Sequence, residues 1–514
     1  MKTTNKIKLI LVLCAGVQLM VSCKKYLAVN PEERILESAY YTTQPQAFSS
    51  LTTVYDMVGN QSSGYLTKTD IMNVASDDHF AGGANSSDIG DLQSVAKYSY
   101  TPSAQSGAVS YLWNKGFTGV YRANVFLKHV VNTPMDATLK ARYIAEAKLL
   151  RAYFYFDLVR FFKNIPLTLE PIDPSAIYTI TQVPPATVYK QIIQDLKDAQ
   201  ASLPTTAPAT SEGGRVTLGV DHALLARVYM WQKDYTNALS ELALVNGSAP
   251  GVSASAYGYK LIPNFGDLWK INNKFNSESI FEIVFNSTSN GSWNSVGGTE
   301  GNLECILVGP RNYTPLKSTA PDYVSGWSGQ PFTDDFWNLV HYDPRNAATV
   351  ANCDSLEANG IITYLHAYQN TGHFIEKFAG RTSTKASTGQ LELNFPVDMY
   401  EIRLADMYLL EAEAQLASGA GVGAGSRGYV LLNAVRARIG LGPIAVTLDN
   451  IKKERRLELA GEGQRWLDLV RWGDAGTVLT SKGFVTGKNE IFPIPQSELN
   501  NTKLQQSKEW GGSL

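Results

Sequence analysis

The sequence predicts a mainly α-helical protein of stacked antiparallel helix pairs, joined to an irregular, loop-rich subdomain with short strands. Three observations carry that expectation. Apolar residues recur at three- and four-residue steps through much of 44–247 and again through 400–472, the spacing that builds one apolar stripe along a helix. Within 220–250 the spacing is that of a two-helix repeat. Residues 249–396 lose the helical period and are rich in Gly, Asn, Ser and Thr. They are too many for a connecting loop.

In chain order, Lys2, Lys6 and Lys8 precede an apolar run, Leu9 to Val21. The run is shorter than the ~20 residues a hydrocarbon core requires and reads as the apolar part of a secretory signal. It ends in Met20-Val21-Ser22-Cys23, which resembles a bacterial lipobox, although Met20 stands where Leu is usual. Cleavage before Cys23 would leave an acylated cysteine, and several acyl chains at about 0.8 kcal/mol per buried methylene hold a protein on a bilayer without a span. The alternative is a signal cut nearby and an incidental Cys23.

The stripe in 143–162 runs through Ile144, Ala147, Leu150, Tyr153, Phe154, Leu158 and Phe161, and Asn164-Ile165-Pro166 stops it. In 220–250, Leu225, Ala226, Tyr229, Ala238, Leu242, Val245 and Pro250 fit a tetratricopeptide unit, with small residues where the helices cross and His222 in the usual Trp position. One such hairpin exposes an apolar side, so other pairs must stack on it. The expected partners are 43–59 with 116–131, 137–162 with 185–203, and 400–418 with 425–439. The loop-rich part holds Trp269, Trp293, Trp327 and Trp337 and a strand-like run at 279–285. The expected organisation is a signal at 1–22, a helical region at 23–248, an irregular aromatic-rich subdomain at 249–396, and a helical region at 397–514 that packs back on the first.

Forty-five basic side chains stand against 47 acidic ones, and removal of the signal leaves 42 against 47. No concentrated positive field results, which argues against nucleic acid as a partner. Besides Cys23, the processed chain keeps Cys305 and Cys353. A disulfide between them and a pair of buried thiols are both open. Two cysteines without clustered histidines make no metal site, and no cofactor is implied.

Catalysis lacks a constellation. Glycoside hydrolysis normally needs two carboxyl groups about 5 to 9.5 Å apart across the scissile bond, whereas Asp77-Asp78 and Asp334-Asp335 are sequence neighbours. No metalloprotease or phosphate-loop motif occurs. Glu458, Glu462, Arg465 and Asp468 recur at helical spacing but alternate with Leu457, Leu459, Trp466, Leu467 and Leu469. They read as a structural Arg–carboxylate network, as do Arg151 and Asp157. Flat rings beside amide, carboxylate and hydroxyl groups in the loops suit a sugar-binding surface.

Several runs then resemble the SusD/RagB family of glycan-binding outer-membrane lipoproteins. They are Ala145-Glu146-Ala147-Lys148-Leu149-Leu150-Arg151-Ala152, Tyr155-Phe156-Asp157-Leu158-Val159-Arg160, and Arg403-Leu404-Ala405-Asp406-Met407-Tyr408-Leu409. The most distinctive begins Glu454-Arg455-Arg456-Leu457-Glu458 and ends Arg465-Trp466-Leu467-Asp468-Leu469-Val470-Arg471-Trp472-Gly473, and Ile491-Phe492-Pro493-Ile494-Pro495 closes the series. The chain departs from the family at Gln506-Ser507-Lys508-Glu509-Trp510, and at Lys24-Lys25 where an acidic pair would follow the anchor. The resemblance implies a non-enzymatic lipoprotein, tethered to the bilayer through acylated Cys23 and facing the cell exterior. It would bind an oligosaccharide and deliver it to a SusC-like TonB-dependent transporter. It also implies a ligand face built from 73–88 and 293–337. There Asp78 and His79 are expected to give polar contacts and Trp293, Tyr323 and Trp327 to give stacking, while Trp113 is expected to pack. The rival readings are a secreted glycan hydrolase, a family member binding peptides or another nutrient, and a tetratricopeptide adaptor for protein segments.

Overall fold

The computed structural model describes residues 40–61, 65–103, 107–289, 291–293 and 299–514. The signal and Cys23 lie outside the described residues. No helix among those described is long and apolar enough to cross a membrane.

Helix α1 (Gln44–Gly59) opens with a capping box in which Thr43 and Gln46 satisfy each other's backbone N–H groups. Two short helices, α2 (Lys68–Ala75) and α3 (Gly90–Ala96), follow. The long α4 (Gly107–Val130) packs against α1 and against α5 (Ala137–Phe162), and α5 in turn packs against α6 (Pro185–Ala199). From Leu149 to Phe162 every side chain of α5 is buried, as expected of a helix with neighbours all round. Asp136 caps its start by accepting the Leu139 N–H at 2.8 Å. The tetratricopeptide pair is α7 (Leu218–Trp231) and α8 (Tyr235–Asn246), where Ala226 and Ala238 are wholly buried. His222, in the Trp position, meets Glu241 of the partner helix at 2.6 Å.

The next segment carries strand β1 (Ser279–Ile283), the two-residue β2 (Thr314–Pro315), helix α9 (Asp334–Val340), β3 (Val350–Asn352), β4 (Ile362–Thr363), β5 (His373–Ile375) and β6 (Met399–Arg403). They form three separate antiparallel pairs, β1–β6, β2–β4 and β3–β5. Residues 400–403 therefore form part of a strand instead of opening a helix. All five residues of β6 are buried, the charged Glu401 and Arg403 included, and a short run buried on both faces shows no alternation by which its period would distinguish strand from helix. Cys305 and Cys353 are free thiols in two different small cores. The disulfide considered above does not form, and burial pushes both thiols up.

Helix α10 (Leu404–Ala417) packs on α8 and pairs with α11 (Arg427–Arg438). One hydrophobic core joins Leu51, Phe154, Leu225, Tyr408, Leu432 and Trp466. The charged run of the sequence is split into α12 (Leu448–Glu458) and α13 (Arg465–Trp472). Gly461 and Gly463, at φ of +76° and +72°, make the turn between them. At the C-terminus Trp510 rests on Tyr100, with ring centroids 5.5 Å apart, and donates to Ile491 O.

Candidate functional site

The site is held from below by charge. Arg465 forks onto both oxygens of Asp77 at 2.8 and 2.9 Å, and Arg456 reaches Asp78 at 2.6 Å and Asp335 at 2.7 Å. Such planar, bidentate pairing fixes orientation as well as distance. The arginines pull Asp77 below the usual carboxylate range despite its burial. The run from 454 to 471 thus ties residues 76–79 to the helical body.

The chain leaving this anchor runs antiparallel beside 328–332. His79 pairs with Phe332, and the N–H groups of Phe80, Gly82 and Gly83 donate to Pro331, Gly329 and Ser328 at 2.9 to 3.0 Å. Gln330, wholly buried in the middle, donates to Asp70 and Glu304 and accepts from Asn73. The other side of the ribbon is fixed to 306–309: Trp327 N–H donates to Ile306 O at 2.9 Å and Ser328 N–H to Gly309 O at 2.8 Å. Gly326 lies so close to Gly309 that a Cβ there would stand 2.4 Å from its backbone. Trp327 is therefore aimed by backbone contacts on two sides.

At the end of this ribbon Trp293 stacks on Trp327, with centroids 5.6 Å apart and planes inclined by 28°. Trp293 is 38% exposed. Arg311 sits beside them and donates to Trp327 O at 3.2 Å and to Asp88 Oδ2 at 3.0 Å. Asp88 is held in turn by the N–H groups of Ala84 and Ile89. The arrangement offers an apolar ring face next to a partly exposed guanidinium–carboxylate pair, the two surfaces a sugar ring presents needs for.

The sequence-selected residues thus separate. Trp293 and Trp327 come together. Asp78 and His79 do not face solvent, so direct ligand contact does not fit their placement: each is 1% exposed. Asp78 is neutralised by Arg456. His79 lies against Phe332 at 4.3 Å, and burial drives its imidazole down to about 3. Tyr323 is likewise buried; its hydroxyl donates to Glu376 at 2.5 Å and its ring packs edge-on to Tyr313. Trp113 packs in the main core. Arg311 was missed. It follows Gly309-Pro310 and lies far in sequence from its partner Asp88, so nothing local signals the pair.

Comparison with known proteins identifies the family. The SusD family profile matches residues 277–510, and a profile described as "Starch-binding associating with outer membrane" matches 25–230. A "SusD-like protein" of Bacteroides ovatus is 25% identical, over 92% of this chain and 83% of its own. "SusD-like protein P38" of Formosa agariphila is 24% identical over 99% of both chains. Among solved structures, a "Laminarin binding SusD-like protein" is 41% identical, covers 91% of this chain and 99% of its own, and superposes with a TM-score of 0.86. "Surface glycan-binding protein A" of Bacteroides thetaiotaomicron, in complex with laminarihexaose, is 26% identical over 90% of this chain and 98% of its own, with a TM-score of 0.77. Two matched profiles that together span most of the chain, and a 41% identical structure of the same architecture, place this protein in the SusD family.

Proposed function

We propose that the protein is a cell-surface lipoprotein of the outer membrane, anchored through Cys23, that binds a laminarin-type glucan and delivers it uncleaved to a SusC-like TonB-dependent transporter. The observation that carries the ligand class is the Trp293–Trp327 stack beside Arg311 and Asp88, in a chain 41% identical to a laminarin-binding relative. The non-catalytic reading is supported by the fate of the loop acids. Asp77, Asp78 and Asp335 are all paired with Arg456 or Arg465, which leaves none of them free to act as acid or base on a bond held at the tryptophans. A ligand enclosed between lipoprotein and barrel gains from both surfaces at once, so modest affinity for the lipoprotein alone suffices.

The test is a titration of the protein against laminarin, other polysaccharides and peptides, with assay of new reducing ends, and co-purification from membranes. The reading expects laminarin binding, no new ends and a co-purifying barrel protein. Preference for peptides would select the alternative nutrient reading, and new reducing ends would select the hydrolase.

A further inference from the structure

A second feature continues away from the tryptophan pair. Tyr65 bonds the Asp91 backbone and lies within electrostatic reach of Asp88, the carboxylate that Arg311 holds. Tyr65 and Asp91 line a cavity of about 530 Å³ along α4, and a second of about 620 Å³ adjoins it. The two share Asn60 and Arg122, which makes them one seam along α1 and α4. Together they exceed the roughly 300–1,000 Å³ of an ordinary small-ligand pocket.

One wall of the seam is polar in a regular way. On α4, Ser110, Asn114, Thr118 and Arg122 follow at four-residue steps and line the first cavity, the spacing that places side chains one above another on a helix. At 1.5 Å per residue the stripe is ~18 Å long. Arg122 bonds Asp56 and Thr53 O of α1, both at 2.6 Å. The side chains of Ser110, Asn114, Thr118 and Asn60 make no hydrogen bond to the protein among the described residues, although Asn60 O accepts from Tyr111 and Lys115. A groove that sets uncommitted hydroxyl and amide groups beside apolar side chains, with the Tyr65 phenol near Asp88, suits a linear chain of sugar rings, which have hydroxyl edges and apolar faces.

We infer that the α1–α4 seam is an extension subsite, in which Asn114, Thr118 and Arg122 hold the distal units of a linear oligosaccharide whose near end stacks on Trp293 and Trp327. This rests on the glycan reading of the tryptophan pair. It predicts a ligand of several sugar units, because a disaccharide on the rings would not reach Arg122.

Calorimetric titration of the full protein with laminarihexaose and laminaribiose tests it. Wild type should bind the hexasaccharide more tightly than the disaccharide. Asn114→Ala/Thr118→Ala, with an unchanged melting temperature, should lose about tenfold in affinity for the hexasaccharide and nothing for the disaccharide. Equal hexasaccharide affinity in wild type and double variant overturns the inference and leaves the seam a solvated helix face, as does an equal loss on both sugars or no gain with chain length. Undiminished hexasaccharide binding by Trp327→Ala instead defeats the glycan reading of the rings, and the extension falls with it.

Discussion

Two regions of this molecule use the same residue types to opposite ends. Between β6, α11 and α12, Arg345, Arg403 and Arg438 meet Glu278, Glu454, Glu458 and Glu462 in a web whose side chains are at most 4% exposed. Lys377 joins it at Glu462 and lies 4.5 Å from the Trp269 ring centroid. At the tip of the 79–83/328–332 ribbon, one arginine, one aspartate and two tryptophans stand partly in water. The buried web has neutralised every charge it contains and can only hold the fold. The exposed group has kept ring faces and part of a guanidinium–carboxylate pair in reach of solvent. What separates scaffold from site is whether the paired groups still meet solvent.

The comparison predicts unequal consequences. Arg403→Ala should have the largest effect. It takes one cation from each of Glu278, Glu458 and Glu462 and leaves the web with excess buried negative charge, and removing one member of a buried charged network costs about 3–5 kcal/mol. The expected result is a much lower melting temperature or loss of soluble protein; an unchanged melt would mean the web is not a support. Gly326→Ala should come next. The added Cβ collides with Gly309, an overpacking of ~1–3 kcal/mol, and because it displaces Trp327 it should depress glycan affinity more than it depresses the melting temperature.

A smaller, pH-dependent effect belongs to Glu282. Burial and the neighbouring Asp398 push its carboxyl up to about 8. A raised carboxyl favours the protonated form in the folded state, so its stabilising contribution is complete below the ordinary glutamate range and is lost as pH rises through about 8. Thermal melts should therefore fall from pH 5 to pH 9 in wild type, and less steeply in Glu282→Gln. The smallest expected effect is none at all: with Cys305 and Cys353 unbonded, reductant should leave the melting temperature unchanged, and a shift on reduction would contradict the placement of the two thiols in separate cores.

Legibility in the sequence followed the range of the interactions. The apolar stripes of α5 and of the α7–α8 pair were readable because a helix carries its own period. The break between α12 and α13 was not anticipated, because the charges kept helical spacing up to Gly461 and Gly463, where positive φ intervenes. β6 reads in the sequence as the start of α10 because burial on both faces erases alternation. At the site, Trp293 and Trp327 were visible as large rings in Gly-rich loops. Asp78 and His79 were misplaced for a long-range reason: polar residues in a loop read as exposed, and the arginine that neutralises Asp78 comes from α12, in the distant C-terminal third of the chain. Arg311 and Asp88 stayed hidden for the same cause.

The central claim is that Trp293 and Trp327 hold a glycan that the protein leaves intact. Its most direct test is a calorimetric titration of laminarihexaose into wild type and into Trp293→Ala/Trp327→Ala. The account predicts saturable binding to wild type and an affinity loss of at least about thirtyfold, ~2 kcal/mol, in a variant that melts like wild type. Equal binding by both proteins would contradict it.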